Sequence, residues 1–193
     1  MITTILFDLD DTIVTGKIYE IIYPKILAMF KEHGIDAEKR AKEEGLELNP
    51  YGRYDSGDLC REWGYLKEYY QIIEPEIHTI TSIKENVKEV LEQLKGKKLG
   101  IVSNTMLKTI QIYLKKYELE HYFEFIFSFE DSEHIKSSKG CWQDLIDKEN
   151  LNPNECLVVG DNPVQDGEIP ASLGFNTLII KDDEDLKPVL KFI

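Results

Sequence analysis

Residues 2–12 read Ile2-Thr3-Thr4-Ile5-Leu6-Phe7-Asp8-Leu9-Asp10-Asp11-Thr12, a short apolar run that breaks abruptly into aspartates. Beyond this first run, Ile2–Phe7, four more apolar runs follow: Leu99–Ser103, Phe123–Ser128, Cys156–Gly160 and Thr177–Ile180. They are rich in Ile, Val, Leu and Phe, and helical patterns separate the last four, so all five read as strands. Their apolarity is continuous rather than alternating. That predicts strands covered on both faces, as in a parallel sheet wrapped by helices.

The expected fold class is therefore α/β, a doubly wound, Rossmann-like parallel sheet of five strands. Ser82 followed by Glu85 has the form of a capping box. It is expected to start a helix whose apolar face is Val87, Val90, Leu91 and Leu94, with Gly96 past its end. A second helix is expected from Ser138 to Glu149, with Trp142, Leu145 and Ile146 inward and Pro153 beyond it. The stretch between the first strand and Ser82 has no convincing strand. It shows helical periodicity (Ile18, Ile21, Ile22, Ile26, Met29, Phe30), a charged run over Asp36–Glu44, a turn at Asn49-Pro50-Tyr51-Gly52 and an aromatic-rich helix. A strand-to-helix loop is ordinarily about two to six residues. A segment this long is expected to fold as a small helical unit of its own, giving a core of residues 1–15 plus 82–193 and an inserted helical domain over 16–81.

Composition narrows the partners. Lys and Arg number 23 against 36 Asp and Glu, a formal charge of −13, which repels nucleic-acid backbone and anionic lipid. A phosphorylated small molecule is still admitted if a cation neutralises the site locally. Hydrophobic residues at 42% and charged residues at 31% are ordinary for a globular chain. No apolar run approaches the ~20 residues of a membrane span, and the first residues lack the pattern of a signal peptide. Cys60, Cys141 and Cys156 are too few and scattered for a disulfide framework or a zinc site. The expectation is a cytoplasmic protein, monomeric or homodimeric, with neither nucleic acid nor membrane as partner.

The chemistry concentrates at strand ends. Residues i and i+2 on an extended chain face the same way, so Asp8 and Asp10 point together at the carboxyl edge of the first strand, where ligands of open α/β sheets bind. Two close carboxylates are costly unless a cation lies between them or one holds a proton. Acidic residues in an acidic protein can also simply form a solvated turn. Three further features weigh against that bland reading. Ser103-Asn104 ends the second strand with a hydroxyl and the start of a helix, both natural phosphate ligands. Gly160-Asp161-Asn162-Pro163-Val164-Gln165-Asp166 ends another strand with a glycine turn and two carboxylates. Lys136-Ser137-Ser138-Lys139 lies just ahead of the helix before that strand.

With these residues the sequence resembles the haloacid dehalogenase superfamily of hydrolases. Its four motifs occur in order: Asp8-Leu9-Asp10-Asp11-Thr12, the strand-end Ser103, a lysine, and Gly160-Asp161 through Asp166. The 16–81 insertion matches the family's helical cap. The resemblance implies a phosphatase in which Asp8 attacks phosphorus to form an aspartyl-phosphate, and Asp10 acts as general acid and then base. It implies that Ser103 and amides near Asn104 hold the phosphoryl oxygens while a lysine offsets charge in the transition state. Mg²⁺ is implied at the Asp8 carboxylate, the Asp10 backbone carbonyl and Asp161, with Asp166 orienting the lysine or the metal's waters. Family spacing favours Lys136, 25 residues ahead of Asp161, over Lys139, 22 ahead; neither is followed by the family's usual proline. Asp11 is left out of the set.

The implied substrate is a small phosphorylated metabolite. Asp10 favours phosphoryl chemistry over C–halogen cleavage, because the dehalogenase branch of the family lacks an acid there. The alternatives are a phosphomutase using the same Asp8 and Asp10, or a non-enzymatic phospho-acceptor or binding protein. A phospho-acceptor domain carries its acceptor on a mid-chain strand, and a scaffold has no need of the full set. His33, His78, His121 and His134 lack metal spacing. Tyr51, Tyr54, Trp63, Tyr65, Tyr69 and Tyr70 read as the helical domain's own core, and Arg53 as its candidate anion contact.

Overall fold

The computed structural model describes residues 1–49, 52–181 and 185–193. Along the chain, β1 (Thr4–Phe7) and β2 (Val14–Thr15) precede four helices: α1 (Ile18–Glu32), α2 (Ala37–Glu43), α3 (Ser56–Glu62) and α4 (Leu66–Ile80). There follow β3 (Ser82–Ile83), α5 (Val87–Gln93), β4 (Lys98–Val102), α6 (Leu107–Tyr117), β5 (Phe125–Phe127) and α7 (Lys139–Glu149). The chain closes with β6 (Cys156–Gly160), a π-helical turn over Pro163–Glu168, the short α8 (Ile169–Ala171), β7 (Asn176–Ile179) and a 3-10 stretch, Lys187–Phe192. It divides into two compact units, residues 1–16 with 82–193, and residues 17–81.

The larger unit is built on a parallel sheet in the order β5-β4-β1-β6-β7, which is the expected doubly wound five-stranded α/β architecture. β1 is central, pairing with β4 through Ile5↔Leu99 and with β6 through Ile5↔Leu157. Every residue of β1 and β6 is buried, as two-sided coverage requires. On one face Leu6, Val102 and Val158 pack with Trp142, Leu145 and Phe175, and the Trp142 and Phe175 rings meet edge to face at 5.5 Å. Strand order reverses on the two sides of β1. A crevice therefore forms at the carboxyl ends of β1, β4 and β6, the usual place for ligands in such sheets.

One expectation needs correcting. Ser82 does not cap a helix through Glu85. Ser82 and Ile83 form β3, antiparallel to β2 with Thr15↔Ser82 in register, and their hydroxyls lie 2.9 Å apart. Lys84 N–H continues the ribbon to the Ile13 carbonyl, and α5 starts after Asn86. A local capping signal lost to backbone pairing across the insertion, which satisfies the same groups with partners 67 residues away. By contrast Ser138 does cap α7, accepting from Gly140 N–H at 3.1 Å.

The smaller unit is helical throughout its described elements. α1 buries Ile18, Ile22, Ile26, Met29 and Phe30, while Ile21 stays 38% exposed. Phe30 receives Trp63 and Tyr65 edge to face at 5.0 and 5.2 Å, Tyr69 is buried, and Tyr69 packs against Tyr70. The expected aromatic core is met in part: Tyr69 is buried with Phe30, while Tyr54, Trp63, Tyr65 and Tyr70 are half-buried. Pro50 and Tyr51 of the expected turn lie outside the described residues. Arg53 sits over the Tyr23 ring at 5.6 Å. Among the described residues no helix is long and apolar enough to cross a membrane.

Candidate active site

β1 ends at Phe7, and the next five residues turn back sharply. Ile13 and Val14 N–H both donate to the Leu9 carbonyl, Asp11 N–H donates to the Val14 carbonyl at 2.7 Å, and Asp11 adopts φ 58°. Asp8 still hangs on the sheet, its N–H donating to the Val159 carbonyl of β6 at 2.8 Å. The Thr12 hydroxyl, one turn on, donates to Asp8 Oδ2 at 3.2 Å. The other oxygen, Oδ1, lies 2.5 Å from Lys136 Nζ, and Lys136 Nζ is also 2.5 Å from Asp166 Oδ1. Lys136 is 3% exposed and Asp166 1%. A lysine from the segment before α7 is thus fixed between carboxylates carried by β1 and by the turn after β6.

Lys136 is the lysine in this constellation. Lys139 is exposed on the first turn of α7. Two bonds hold the Lys136 backbone: its N–H donates to Asn104 Oδ1 at 2.9 Å, and its carbonyl accepts from Trp142 Nε1 at 3.0 Å. Asn104 Nδ2 in turn donates to Gln165 Oε1 at 3.2 Å. The Asn104 side chain therefore ties the end of β4 to the lysine segment and to the turn after β6. Asp166 comes close because position 160 is glycine: a Cβ there would lie 2.2 Å from Asp166 Cγ. The second Asp166 oxygen accepts Asn162 N–H at 3.1 Å.

Ser103 is 5% exposed at the end of β4. Its Oγ accepts Thr105 N–H at 3.1 Å, which leaves the hydroxyl hydrogen to donate elsewhere. Asp10 Oδ2 accepts the Thr105 hydroxyl at 2.9 Å. Sequence reading gave no role to Thr12, Thr105, Asn162 or Gln165. Thr12 has a local signal, four residues after Asp8 in a tight turn. Thr105 meets Asp10 across 95 residues and has none.

Carboxylates crowd this site. Oxygens of Asp8, Asp161 and Asp166 lie within 4.8 Å of one another. Burial is the largest influence on Asp8 and pushes it up to about 8; Lys136 works against it, while Asp166 and Asp10 add to it. Burial likewise raises Asp10 to about 6, against the Thr105 hydrogen bond, and Asp161 to about 6, with help from Asp166 and Asp11. Burial alone would lower Lys136, but Asp8 and Asp166 outweigh it and hold the ammonium above the ordinary lysine range. The Lys136 ammonium contacts the Asp8 and Asp166 carboxylates, and those of Asp10 and Asp161 add further negative charge to the site. An all-oxygen donor set with surplus negative charge fits a hard divalent cation.

A family model described as haloacid dehalogenase-like hydrolase matches residues 5–180. The chain belongs to this family. The match spans both structural units. Among curated relatives, pyrophosphatase PpaX from Bacillus cereus is 28% identical over 166 residues, covering 83% of this chain and 75% of that protein. The HAD phosphatase from Thermococcus onnurineus superposes with a TM-score of 0.69 at 26% identity, over 95% of this chain and 88% of that one. The HAD-hydrolase YfnB from Bacillus subtilis, solved bound to magnesium, superposes with a TM-score of 0.63 at 22% identity, over 95% and 89%.

Proposed function

We propose that this hydrolase is a cytoplasmic, Mg²⁺-dependent phosphatase that cleaves a small phosphorylated metabolite through an aspartyl-phosphate. The observation that carries the reading is the pair of carboxyls at the end of β1. Asp8 is aimed at a buried lysine, and Asp10 is held separately by Thr105. The names of PpaX, a pyrophosphatase, and of the Thermococcus phosphatase support the coarser part of the reading, hydrolysis of a phosphoryl group. A nucleophile alone suffices for a halide, which leaves as a stable anion; an alkoxide needs an acid, and Asp10 supplies it.

In the first half-reaction an Asp8 oxygen bonds to phosphorus as the ester P–O bond breaks, and Asp10 gives its proton to the departing oxygen. Ser103 Oγ–H and the amides around Asn104 donate to the phosphoryl oxygens, and Lys136 offsets charge on them and on Asp8. In the second half-reaction Asp10 takes a proton from water as that water attacks phosphorus. Inorganic phosphate leaves and the Asp8 carboxylate is restored. Asp166 holds Lys136 in place. The Asp8 and Asp161 carboxylates and the Asp10 backbone carbonyl would hold Mg²⁺, which supplies positive charge against the phosphoryl oxygens when bound. Residues 17–81 would serve as the cap that selects the leaving group.

The test is phosphate release from a panel of phosphomonoesters with Mg²⁺ and with excess chelator. Mg²⁺-dependent release of inorganic phosphate supports the reading. Phosphate moved within a sugar without release would replace it with a mutase, and no reaction on any ester would refute it.

A further inference from the structure

Thr105, which is 9% exposed, is held at its amide, its carbonyl and its hydroxyl. Its N–H donates to Ser103 Oγ at 3.1 Å, its carbonyl accepts from Phe129 N–H at 3.3 Å, and its hydroxyl donates to Asp10 Oδ2 at 2.9 Å. The first two belong to the ends of β4 and β5, both anchored in the parallel sheet. Asp10 sits on the turn after β1, joined to Val14 by an isolated bridge. A side chain on a tight turn has several rotamers open to it, and general acid–base catalysis works only when the carboxyl meets the leaving oxygen at hydrogen-bond distance. The sheet end therefore supplies what the turn lacks, a fixed external donor.

Taking the phosphatase reading of the site as its basis, we infer that Thr105 is a positioning residue that orients Asp10 for proton transfer. With the Thr105 hydroxyl donating to Oδ2, that oxygen is engaged as an acceptor, and the other oxygen, Oδ1, is the one left to meet the departing group. The same oxygen accepts the proton of the attacking water in the second half-reaction, so the bond serves both steps without being remade. The Thr105 amide also holds Ser103 Oγ. Side-chain replacement leaves that backbone bond in place, so the hydroxyl can be removed with the serine contact retained.

The experiment uses the full chain with Mg²⁺ and two esters of similar shape, phenyl phosphate and nitrophenyl phosphate, read as first-turnover release of the phenol by rapid mixing. Nitrophenolate departs nearly unaided, whereas phenolate needs more help from an acid. Thr105→Val should slow phenyl phosphate about tenfold or more and nitrophenyl phosphate less than about threefold, in the range of a misplaced general acid. Thr105→Ser should restore the wild-type pattern. In an Asp10→Asn background, Thr105→Val should add no further loss, since the group it positions is gone. Thr105→Ala is the second hydroxyl-free variant if the valine melts below the assay temperature. Equal slowing on both esters, no recovery with serine, or losses that multiply in the Asp10→Asn background would overturn the inference. Wild type inert toward both esters and toward the whole phosphomonoester panel would refute the phosphatase reading itself, and this inference with it. An active wild type with one of the overturning patterns refutes the role of Thr105 alone.

Discussion

Replacing Lys136 by methionine keeps the length and apolar stem of the side chain and removes only its charge. The ammonium is 3% exposed and lies 2.5 Å from both Asp8 Oδ1 and Asp166 Oδ1, themselves 9% and 1% exposed. Removing one partner of a buried ion pair costs about 3–5 kcal/mol, because the remaining charge has neither water nor counter-ion. At about 2–4 °C per kcal/mol for a chain of this size, melting should fall by roughly 10 °C. The cost depends on pH. Burial already raises Asp8 to about 8, and Lys136 is one of the influences restraining that rise, so without it Asp8 takes up a proton more readily. An acid whose folded pKa lies above its unfolded value of 3.8 is stabilising below that value, and the stability is lost as pH climbs through the folded pKa. The Asp8 part of the penalty of Lys136→Met should thus make melting fall less at pH 5 than above pH 8. The assay is thermal melting in chelator at both pH values, with the exposed Lys139→Met as control, whose shift should stay within about 0.5 kcal/mol. Turnover of nitrophenyl phosphate should fall about 10²–10³-fold for Lys136→Met and stay near wild type for the control. Melting of Lys136→Met within 2 °C of wild type at pH 8.5, at roughly half a kcal/mol, would refute the buried-pair argument. Equal losses from both lysines would refute the assignment.

Asp8→Asn should lower turnover by about 10⁴-fold or more, since it removes the nucleophile, while the far-UV signature is kept below the melting temperature because the isosteric amide fills the same buried space; near-normal hydrolysis would exclude the covalent route. Asp10→Asn should leave formation of aspartyl-phosphate from nitrophenyl phosphate largely intact but slow its hydrolysis, giving a burst of nitrophenol and then slow turnover; equal slowing with no burst would make Asp10 structural. Chelation should stop activity, with Mg²⁺ restoring it better than Ca²⁺. Asp8, Asp10 and Asp161 all have folded pKa values raised above 3.8, to about 8, 6 and 6, so in chelator stability should fall as pH rises from about 4 to about 8. Mg²⁺ competes with those protons, and its melting shift should be larger at pH 8 than at pH 5; an equal shift at both would contradict the assigned ligands.

The five strands were legible because each is a continuous apolar run. A strand buried on both faces must be written that way whatever its neighbours, so the run itself carries the information. Cys156–Gly160 matches β6 at both ends, and Ser138 caps α7 as its position before an apolar face implies. The polar residues at strand ends were legible too, since Asp8, Ser103 and Asp161 each follow directly on such a run and Asp10 comes two residues after Asp8. What the residues alone left open was pairing over distance. Ser82 carries a capping signal as good as that of Ser138, yet it lies in β3, because Thr15 and Val14 arrive beside it only when the chain has folded. Lys136 and Lys139 are both lysines near a helix start. Spacing to Asp161 favours Lys136, and the fold gives the physical reason: Asn104 and Trp142 hold the Lys136 backbone with its ammonium between Asp8 and Asp166. Thr105 reaches Asp10 for the same reason: parallel pairing of β1 with β4 brings their carboxyl ends together. Local sequence determines which segments must be buried and which ends carry charge. Only the assembled sheet decides which of those charges share one desolvated site, because that requires distances between residues a hundred positions apart.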